Sequence, residues 1–180
     1  MGVFSNGRLR SLEYDVITCN AAIGACEKGA QWLEGLCLFL DMGLRLLTPD
    51  ARTYRAGISA CAKGARWQEA LQFLSDVQSC RLEADSLIYN AALSACGEGA
   101  RVQKALAILS DMRLRRLDPD VITYNAAIRA CERGGQWHEA LRLFSEMGSF
   151  CLVPNVRTHN AAISACEKCA QWHDALGILS

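Results

Sequence analysis

The sequence lacks the features that mark several common classes of protein. Only 3 of its 180 residues are proline, which is few for a disordered chain. No apolar run approaches the roughly 20 residues that a membrane-spanning helix needs. Residues 1–15 contain no apolar segment of signal-peptide length, and they include acidic residues, which transit peptides avoid. The sequence therefore predicts a folded, soluble chain without a membrane partner.

The chain also lacks an excess of charge of either sign. It has 19 basic and 19 acidic residues, and its formal net charge is zero. A neutral chain is not attracted as a whole to nucleic acid or to an anionic membrane. A local basic track remains compatible with this balance, because it depends on where the charges lie rather than on their sum.

Cysteine is abundant, and its spacing argues against a disulfide framework. Five of the ten cysteines stand 35 residues apart, namely Cys26, Cys61, Cys96, Cys131 and Cys166. This regularity predicts one small, polarisable core residue per repeat. Stacked repeats would hold such residues beyond the roughly 7 Å between Cα atoms that a disulfide tolerates. The pattern favours a reducing compartment.

An internal repeat of 35 residues runs through the chain without an insertion. The segment YDVITCNAAIGACEKGAQW, which ends at Trp32, recurs as PDVITYNAAIRACERGGQW, which ends at Trp137. Such a fixed period predicts a repeat architecture. The predicted repeats are residues 16–50, 51–85, 86–120, 121–155 and 156–180, and residues 1–15 fit the tail of a preceding repeat. We therefore expect the chain to be a segment of a longer array.

Each repeat contains two apolar stripes with helical spacing. In the fourth repeat these stripes are Val121, Tyr124, Ile128 and Cys131, followed by Trp137, Ala140, Leu141, Phe144 and Met147. Glycines such as Gly134 mark the turn between the two helices, and Asp120 or Asn155 is placed to cap the next first helix. Because a helical hairpin cannot bury both faces alone, neighbouring repeats are expected to stack. The predicted fold is all-α, a right-handed α-α superhelix (solenoid) of antiparallel hairpins.

A second stripe recurs on the first helix of each repeat. It combines an aliphatic residue, an asparagine and usually a basic residue, such as Ile122, Asn125 and Arg133. Stacking would align these residues along one concave surface, where each amide offers donors and acceptors to a ligand. Polar residues on an exposed helix face are often merely solvated, so the pattern alone leaves both interpretations open.

These residues resemble the pentatricopeptide repeat family. The resemblance is carried by the 35-residue unit, the PDVITYN opening, the ACEKG end of the first helix and the EAL…F…M second helix, and it covers essentially the whole chain. Tetratricopeptide repeats have a 34-residue period and a W-x₂-L-G-x₂-Y pattern that is missing here. The resemblance implies binding of single-stranded RNA, one base per repeat, through two or three side chains.

The resemblance implies roles for three sets of residues. The base-reading pair is the fifth and the last residue of each repeat: Asn20 with Asp50, Arg55 with Asp85, Asn90 with Asp120, Asn125 with Asn155, and Asn160 without a partner. The base-stacking residue is the second of the repeat, namely Ile17, Arg52, Leu87, Ile122 and Arg157. The phosphate-contacting residues are Lys28, Lys63, Arg133 and Lys168, with Glu98 as the exception.

The resemblance to the family implies that an Asn–Asp pair reads uridine and that an Asn–Asn pair reads a pyrimidine. The implied RNA is 5′-U-any-U-pyrimidine-pyrimidine-3′, with the N-terminus at the 5′ side. Arg55 departs from this pattern, and no base is assigned to its repeat. Arg52 and Arg157 replace the aliphatic residue, so they either stack on a base through a cation–π contact or are solvated. His159 replaces the usual tyrosine and is expected to pack rather than to bind a ligand.

No set of residues in the sequence predicts catalysis, a cofactor, a metal site or a small-molecule substrate. The spacing Cys166-x₂-Cys169-x₃-His173 has some likeness to a zinc site, but Cys166 is the periodic core cysteine and no fourth ligand is evident. The H-x-E plus C-x₂-C deaminase signature of some family relatives is also missing.

The sequence thus predicts a non-enzymatic, sequence-selective RNA-binding module that acts in organellar RNA processing, stability or translation. The alternative is a protein-binding helical-repeat scaffold of the tetratricopeptide type, and other proteins are possible partners in either case. The family implies a mitochondrion or chloroplast, although this segment contains no recognisable targeting peptide.

Overall fold

The computed structural model describes residues 15–29 and 31–178, except for the side chain of Trp172. Residues 1–14 of the predicted preceding repeat lie outside the described residues. The described part has no strand, and its ten helices are α1 Val16–Lys28, α2 Trp32–Leu44, α3 Ala51–Lys63, α4 Trp67–Ser79, α5 Ser86–Glu98, α6 Val102–Leu114, α7 Val121–Arg133, α8 Trp137–Ser149, α9 Val156–Lys168 and α10 Trp172–Gly177. Among these residues, no helix combines the length and the apolar character that crossing a bilayer requires.

The helices alternate between two layers. Each odd-numbered helix, the first helix of a repeat, packs on the second helix of its own repeat and on the first helices of the neighbouring repeats. Each second helix from α2 to α8 also packs on the first helix that follows it. The predicted all-α solenoid of helical hairpins is therefore confirmed.

The two layers differ in how closely their helices approach. Alanines that are wholly buried recur at one phase of the first helices, at Ala60, Ala95, Ala130 and Ala165. Small side chains let these helices approach closely, whereas no Cα atoms of successive second helices within the described residues lie within 8 Å of each other. The array therefore bends toward the first helices. Their exposed side is called the concave face below.

The core follows the predicted stripes, with one residue missed. Tyr124, Ile128 and Cys131 are completely buried, as are Ala140 and Met147. Leu143, which the predicted stripe omits, is also completely buried. The reason is that α8 is covered on two sides, by α7 and by α9, so its buried face is wider than one stripe.

The periodic cysteines belong to this core. Cys61, Cys96, Cys131 and Cys166 are buried, whereas Cys26, at the first described repeat, is half-buried. All ten cysteines of the chain are free. Burial raises the pKa of the Cys61 and Cys131 thiols to about 12 and that of Cys96 to about 11, so these thiols stay protonated and unreactive at neutral pH.

The glycines in the turns between the paired helices are required for space. Gly64, Gly99 and Gly134 have φ near −84°, which any residue can adopt, and the left-handed position is the next residue, as at Ala65 with φ 55°. A Cβ at Gly64 would lie 2.7 Å from Trp32 Cδ2, and one at Gly99 would lie 2.5 Å from Trp67 Cδ1. Trp32 and Trp67, which start α2 and α4, thus pack against the glycine one repeat later.

The first helices begin with side-chain caps. Asp15, Asp50, Asp85, Asp120 and Asn155 each accept a hydrogen bond from a backbone N–H of the helix that follows. Burial raises the pKa of Asp120, but the hydrogen bonds from Thr123 and Asn90 outweigh that effect and hold the pKa below its usual value. The same balance lowers the pKa of Asp50. The cap predicted at Asp120 and Asn155 is confirmed.

We expect the substitution Gly99→Ala to destabilise the array by about 1–3 kcal/mol, because the new methyl group displaces the ring of Trp67. Gly148→Ala is the matched control, since no atom lies within 4 Å of a Cβ built there and the residue lies inside α8. That change should instead stabilise by about 0.5–1 kcal/mol. Urea unfolding followed by circular dichroism measures both, and equal effects of the two changes would contradict the role given to Trp67.

The Asp120 cap should make stability depend on pH. A carboxyl whose folded-state pKa is lowered stabilises the fold above its unfolded pKa, and that contribution is lost as the pH falls through the folded value. We therefore expect Asp120→Asn to reduce the unfolding free energy at pH 7, with the difference from the parent shrinking below about pH 4. Asn155 shows that asparagine can make the same cap bonds. A difference that stays constant with pH would show that the charge of Asp120 does not contribute.

Candidate functional site

The concave face contains an open cleft of about 810 Å³ between α5, α7 and α9. The residues predicted to read and stack on bases are prominent in its wall, which includes Asn90, Ile122, Asn125, Asn155, Arg157 and Asn160. They lie in the first turns of the first helices and at the caps that precede them. Repeat stacking therefore brings together residues that are 35 positions apart in the sequence.

The predicted base-reading pairs of the first and third repeats are in direct contact. Asn20 Nδ2 donates to Asp50 Oδ1 at 3.1 Å, and Asn90 Nδ2 donates to Asp120 Oδ1 at 3.4 Å. Asn90 is only 9% exposed, so its amide is fixed between its neighbours rather than free on the surface. Each pair places an amide beside a carboxylate at the junction of two repeats.

A threonine of the next repeat contacts the asparagine in the third and fourth repeats. The Thr123 hydroxyl lies 2.7 Å from Asn90 Oδ1 and 2.8 Å from Asp120 Oδ1. In the fourth repeat, the Thr158 hydroxyl lies 2.6 Å from Asn125 Oδ1 and 3.1 Å from Asn155 Oδ1, so it connects a pair that makes no direct contact. Both threonines are completely buried.

The sequence analysis missed these threonines, although a signal was present. Thr18, Thr53, Thr123 and Thr158 share one phase of the repeat, three residues after the capping residue. In the first repeat the arrangement differs slightly, because the Thr53 hydroxyl bonds Asp50 at 2.9 Å and Asn20 Oδ1 is buried with no hydrogen-bond partner in the described structure. That oxygen is an unused acceptor beside the concave face.

The junction between the second and third repeats breaks the pattern at two positions together. Arg55 replaces asparagine, and Ile88 replaces threonine. Arg55 is exposed, whereas Ile88 is almost completely buried at 1%. Asp85 still caps α5, with Oδ1 accepting from the Ile88 N–H at 2.9 Å. The side-chain hydrogen bonds that asparagine and threonine make at the other junctions are therefore absent at this one.

The predicted base-stacking residues are exposed on the concave face. Ile17, Leu87 and Ile122 are 77%, 53% and 63% exposed, which is high for aliphatic side chains in a protein whose core is otherwise well filled. Arg52 and Arg157 occupy the same phase and are also exposed. All five stand one turn before the corresponding base-reading residue, on the same side of the helix.

Three of the four predicted phosphate-contacting residues are paired with a carboxylate of the preceding repeat. Lys63 bonds the carbonyl of Glu27 and lies 3.8 Å from its carboxylate, and Lys168 Nζ lies 2.8 Å from Glu132 Oε1. At the junction of the third and fourth repeats, Glu98 accepts from Arg133 at 2.7 Å and from Arg129 at 3.0 Å. Lys28 is exposed. Glu27, Glu98 and Glu132 are called the inter-repeat carboxylates below.

The zinc-like spacing does not form a cluster in the structure. Among the described residues, no three His, Cys, Asp or Glu side chains are grouped to hold a metal ion. Cys166 lies in the core, and Cys169 Sγ lies 3.4 Å from the carbonyl oxygen of Gly135. The ring of His159 packs edge-on against Phe144, with 5.1 Å between the ring centroids.

Comparison with protein families identifies the repeat. The model of the PPR repeat family matches residues 84–133 and 119–168. A comparison with curated proteins gave no significant match.

Several solved structures of pentatricopeptide repeat proteins have a similar fold. The chain superposes on maize PPR10 with a TM-score of 0.75 and 26% identity, over 96% of this chain and 25% of that one. PPR10 in complex with an 18-nucleotide psaJ RNA element gives a TM-score of 0.78 at 20% identity, over 97% of this chain and 26% of that one. The PPR domain of Arabidopsis thaliana protein-only RNase P 1, solved with tRNA, gives 0.74 at 13% identity, over 88% of this chain and 84% of that one.

The chain spans about a quarter of the length of the PPR10 chains. Its 35-residue period, its helical hairpins and the family match at residues 84–133 and 119–168 agree. The chain belongs to the pentatricopeptide repeat family.

Proposed function

We propose that these repeats form a non-catalytic module that binds single-stranded RNA along the concave face. The observation that carries this proposal is the amide beside a carboxylate at the repeat junctions, as in Asn20 with Asp50 and Asn90 with Asp120. Structures of family members with RNA support it. Repeat proteins of this kind read one base per repeat with two or three side chains.

The proposed base preference follows from the chemistry of the pairs. Oδ1 of Asp120 caps the helix and accepts one N–H of Asn90, so Oδ2 is the oxygen left to accept the N–H of a uracil ring. The second N–H of the Asn90 amide is left to donate to a uracil carbonyl. Asn155 uses Oδ1 in the same way and presents an NH₂ group instead of a second oxygen. We therefore assign uracil to the first and third repeats and a pyrimidine to the fourth and fifth, where Asn160 is the reading residue.

The exposed aliphatic residues complete each proposed base site. Ile17, Leu87 and Ile122 offer apolar contact to the face of a base, a role that aromatic rings or guanidinium planes have in other RNA-binding proteins. Arg52 and Arg157 would do this with a guanidinium plane. The proposed register is 5′-U-any-U-pyrimidine-pyrimidine-3′, with the 5′ end at the N-terminal repeat.

A protein-binding scaffold is the second candidate, and one surface favours it. The outward side of α2 is apolar, with Leu33, Leu40 and Leu44 being 56%, 65% and 84% exposed and Cys37 between them. The equivalent positions of α4 are exposed and polar: Gln68, Gln72, Ser75 and Ser79. Salt separates the two candidates, because phosphate binding weakens log-linearly as salt rises and an apolar contact does not.

Further expectations follow from the resemblance. We propose that the full protein acts in a mitochondrion or chloroplast, in RNA processing, stability or translation. Subcellular fractionation of cells that express the full-length protein tests the compartment, and a purely cytosolic protein would contradict it.

Filter binding of the chain to a U/C-rich oligonucleotide and to its purine counterpart tests the proposed function. We expect tighter binding of the U/C-rich RNA, because Asn with Asp complements the edge of uracil. Asn125→Ala should weaken this binding, whereas Ser145→Ala, an exposed change on α8, should leave it unchanged. Equal affinity for the two RNAs would contradict the proposal.

The inter-repeat carboxylates should limit RNA affinity, because they hold the cations that would otherwise meet phosphate. Glu98→Gln removes the negative charge that pairs with Arg129 and Arg133, while the hydrogen bond from Arg133 to the backbone carbonyl of residue 98 remains. We expect tighter binding at low salt and a slope of log affinity against log salt that is steeper by about 0.7 for each phosphate gained on single-stranded RNA. Asp76→Asn, on α4, removes the same charge away from the concave face and controls for net charge. An unchanged slope in Glu98→Gln would show that the carboxylate does not compete with phosphate.

A further inference from the structure

The second repeat, residues 51–85, differs from its neighbours by a coordinated set of replacements. Where the first and third repeats have asparagine, a threonine at the following junction and an aliphatic residue, it has Arg55, Ile88 at the following junction, and Arg52. The first two replacements remove hydrogen bonds that join the repeats elsewhere. Arginine has no acceptor for a hydroxyl, and isoleucine has no hydroxyl to donate. The result is a base site with the same backbone position and a different set of hydrogen-bonding groups.

The two arginine side chains at this site make no polar contact within the described residues. Across residues 15–29 and 31–178, no ion pair or hydrogen bond engages the guanidinium group of Arg52 or Arg55. Arg129 and Arg133, on the same face two repeats later, are both held by Glu98. The two free arginines lie three residues apart on α3, so they are on one side of the helix and one turn from each other.

Asp85 is also less occupied than its counterparts. Asp120 accepts from the backbone and hydroxyl of Thr123 and from Asn90. Asp85 accepts only the backbone N–H of Ile88 in the described structure. Oδ1 of Asp85 therefore lacks the asparagine partner that Oδ1 of Asp50 and of Asp120 has at 3.1 and 3.4 Å, and Oδ2 of Asp85 accepts no hydrogen bond among the described residues.

These groups match the edge of one base. Guanine presents two acceptors, N7 and O6, followed around the ring by two donors, N1–H and N2–H₂. Arginine donates two parallel N–H groups, and a carboxylate accepts at two oxygens. Adenine and cytosine place an amino group where guanine has O6, so they would set a donor against the guanidinium. Uracil has one carbonyl and one N–H in suitable positions and matches in part.

We propose that the second repeat recognises guanine, with Arg55 donating to O6 and N7, Asp85 accepting from N1–H, and Arg52 stacking on the base. This assignment rests on the proposed function and replaces the unassigned nucleotide in it. The sequence bound by the array becomes 5′-U-G-U-pyrimidine-pyrimidine-3′. The repeat uses the same backbone frame as its neighbours and changes specificity through side chains alone.

Four U/C-rich RNAs that differ only in the second nucleotide of the site test the assignment, by fluorescence anisotropy at low salt. The parent chain should bind the guanine RNA about tenfold or more tightly than the adenine and cytosine RNAs, with uracil between them. Arg55→Ala should make the four affinities equal. Arg55→Asn, which restores the pair found in the first and third repeats, should shift the preference to uracil.

Arg81→Ala is the matched control, because it removes the same charge from the turn after α4, outside the concave face. It should keep the guanine preference, and circular dichroism verifies that each variant is folded. Equal binding of the four RNAs by the parent chain would overturn the guanine assignment but not the proposed function. An equal loss on all four RNAs in Arg55→Ala would also overturn it, since that result marks a phosphate contact. No binding to any RNA would overturn the proposed function together with it.

Discussion

The close approach of the first helices is the constraint on which the rest of the structure depends. A hairpin of two 13-residue helices has more apolar surface than it can bury alone, so each repeat is stable only against its neighbours. Wholly buried alanines such as Ala95 and Ala130 let the first helices pack tightly, while the second helices stay further apart. The resulting curvature makes one continuous concave face from residues of every repeat.

The same constraint couples stability to the candidate site. The aspartate that caps a first helix is also the residue that contacts the asparagine of the preceding repeat, as Asp120 does with Asn90. One carboxylate oxygen therefore belongs to the fold, and the other is available to a ligand. The buried threonines keep the amide in register with the cap. Helix capping therefore already positions the carboxylates of the candidate site.

The repeats differ in their side chains at the concave face, whereas the arrangement of their helices is the same. Trp32 and Trp67 pack against Gly64 and Gly99 one repeat later, so the same side-chain contact joins the repeats at both junctions. On that frame the Arg55 junction loses its internal polar contacts, whereas the Glu98 junction gains two ion pairs. Neighbouring repeats therefore offer different chemistry to a ligand although their backbones are equivalent.

The sequence by itself determined the all-α fold, the two helices per repeat, the caps at Asp120 and Asn155 and the phase of the candidate site, because these depend on local periodicity and on a repeat without insertions. It could not reveal that Leu143 is buried, that Thr123 bridges Asn90 and Asp120, or that Lys63 and Lys168 are paired with carboxylates of the preceding repeat. Those features depend on which side chains of adjacent repeats meet. Only the stacking of the helices decides that, since contacts between residues about 33 positions apart have no local signal in the sequence.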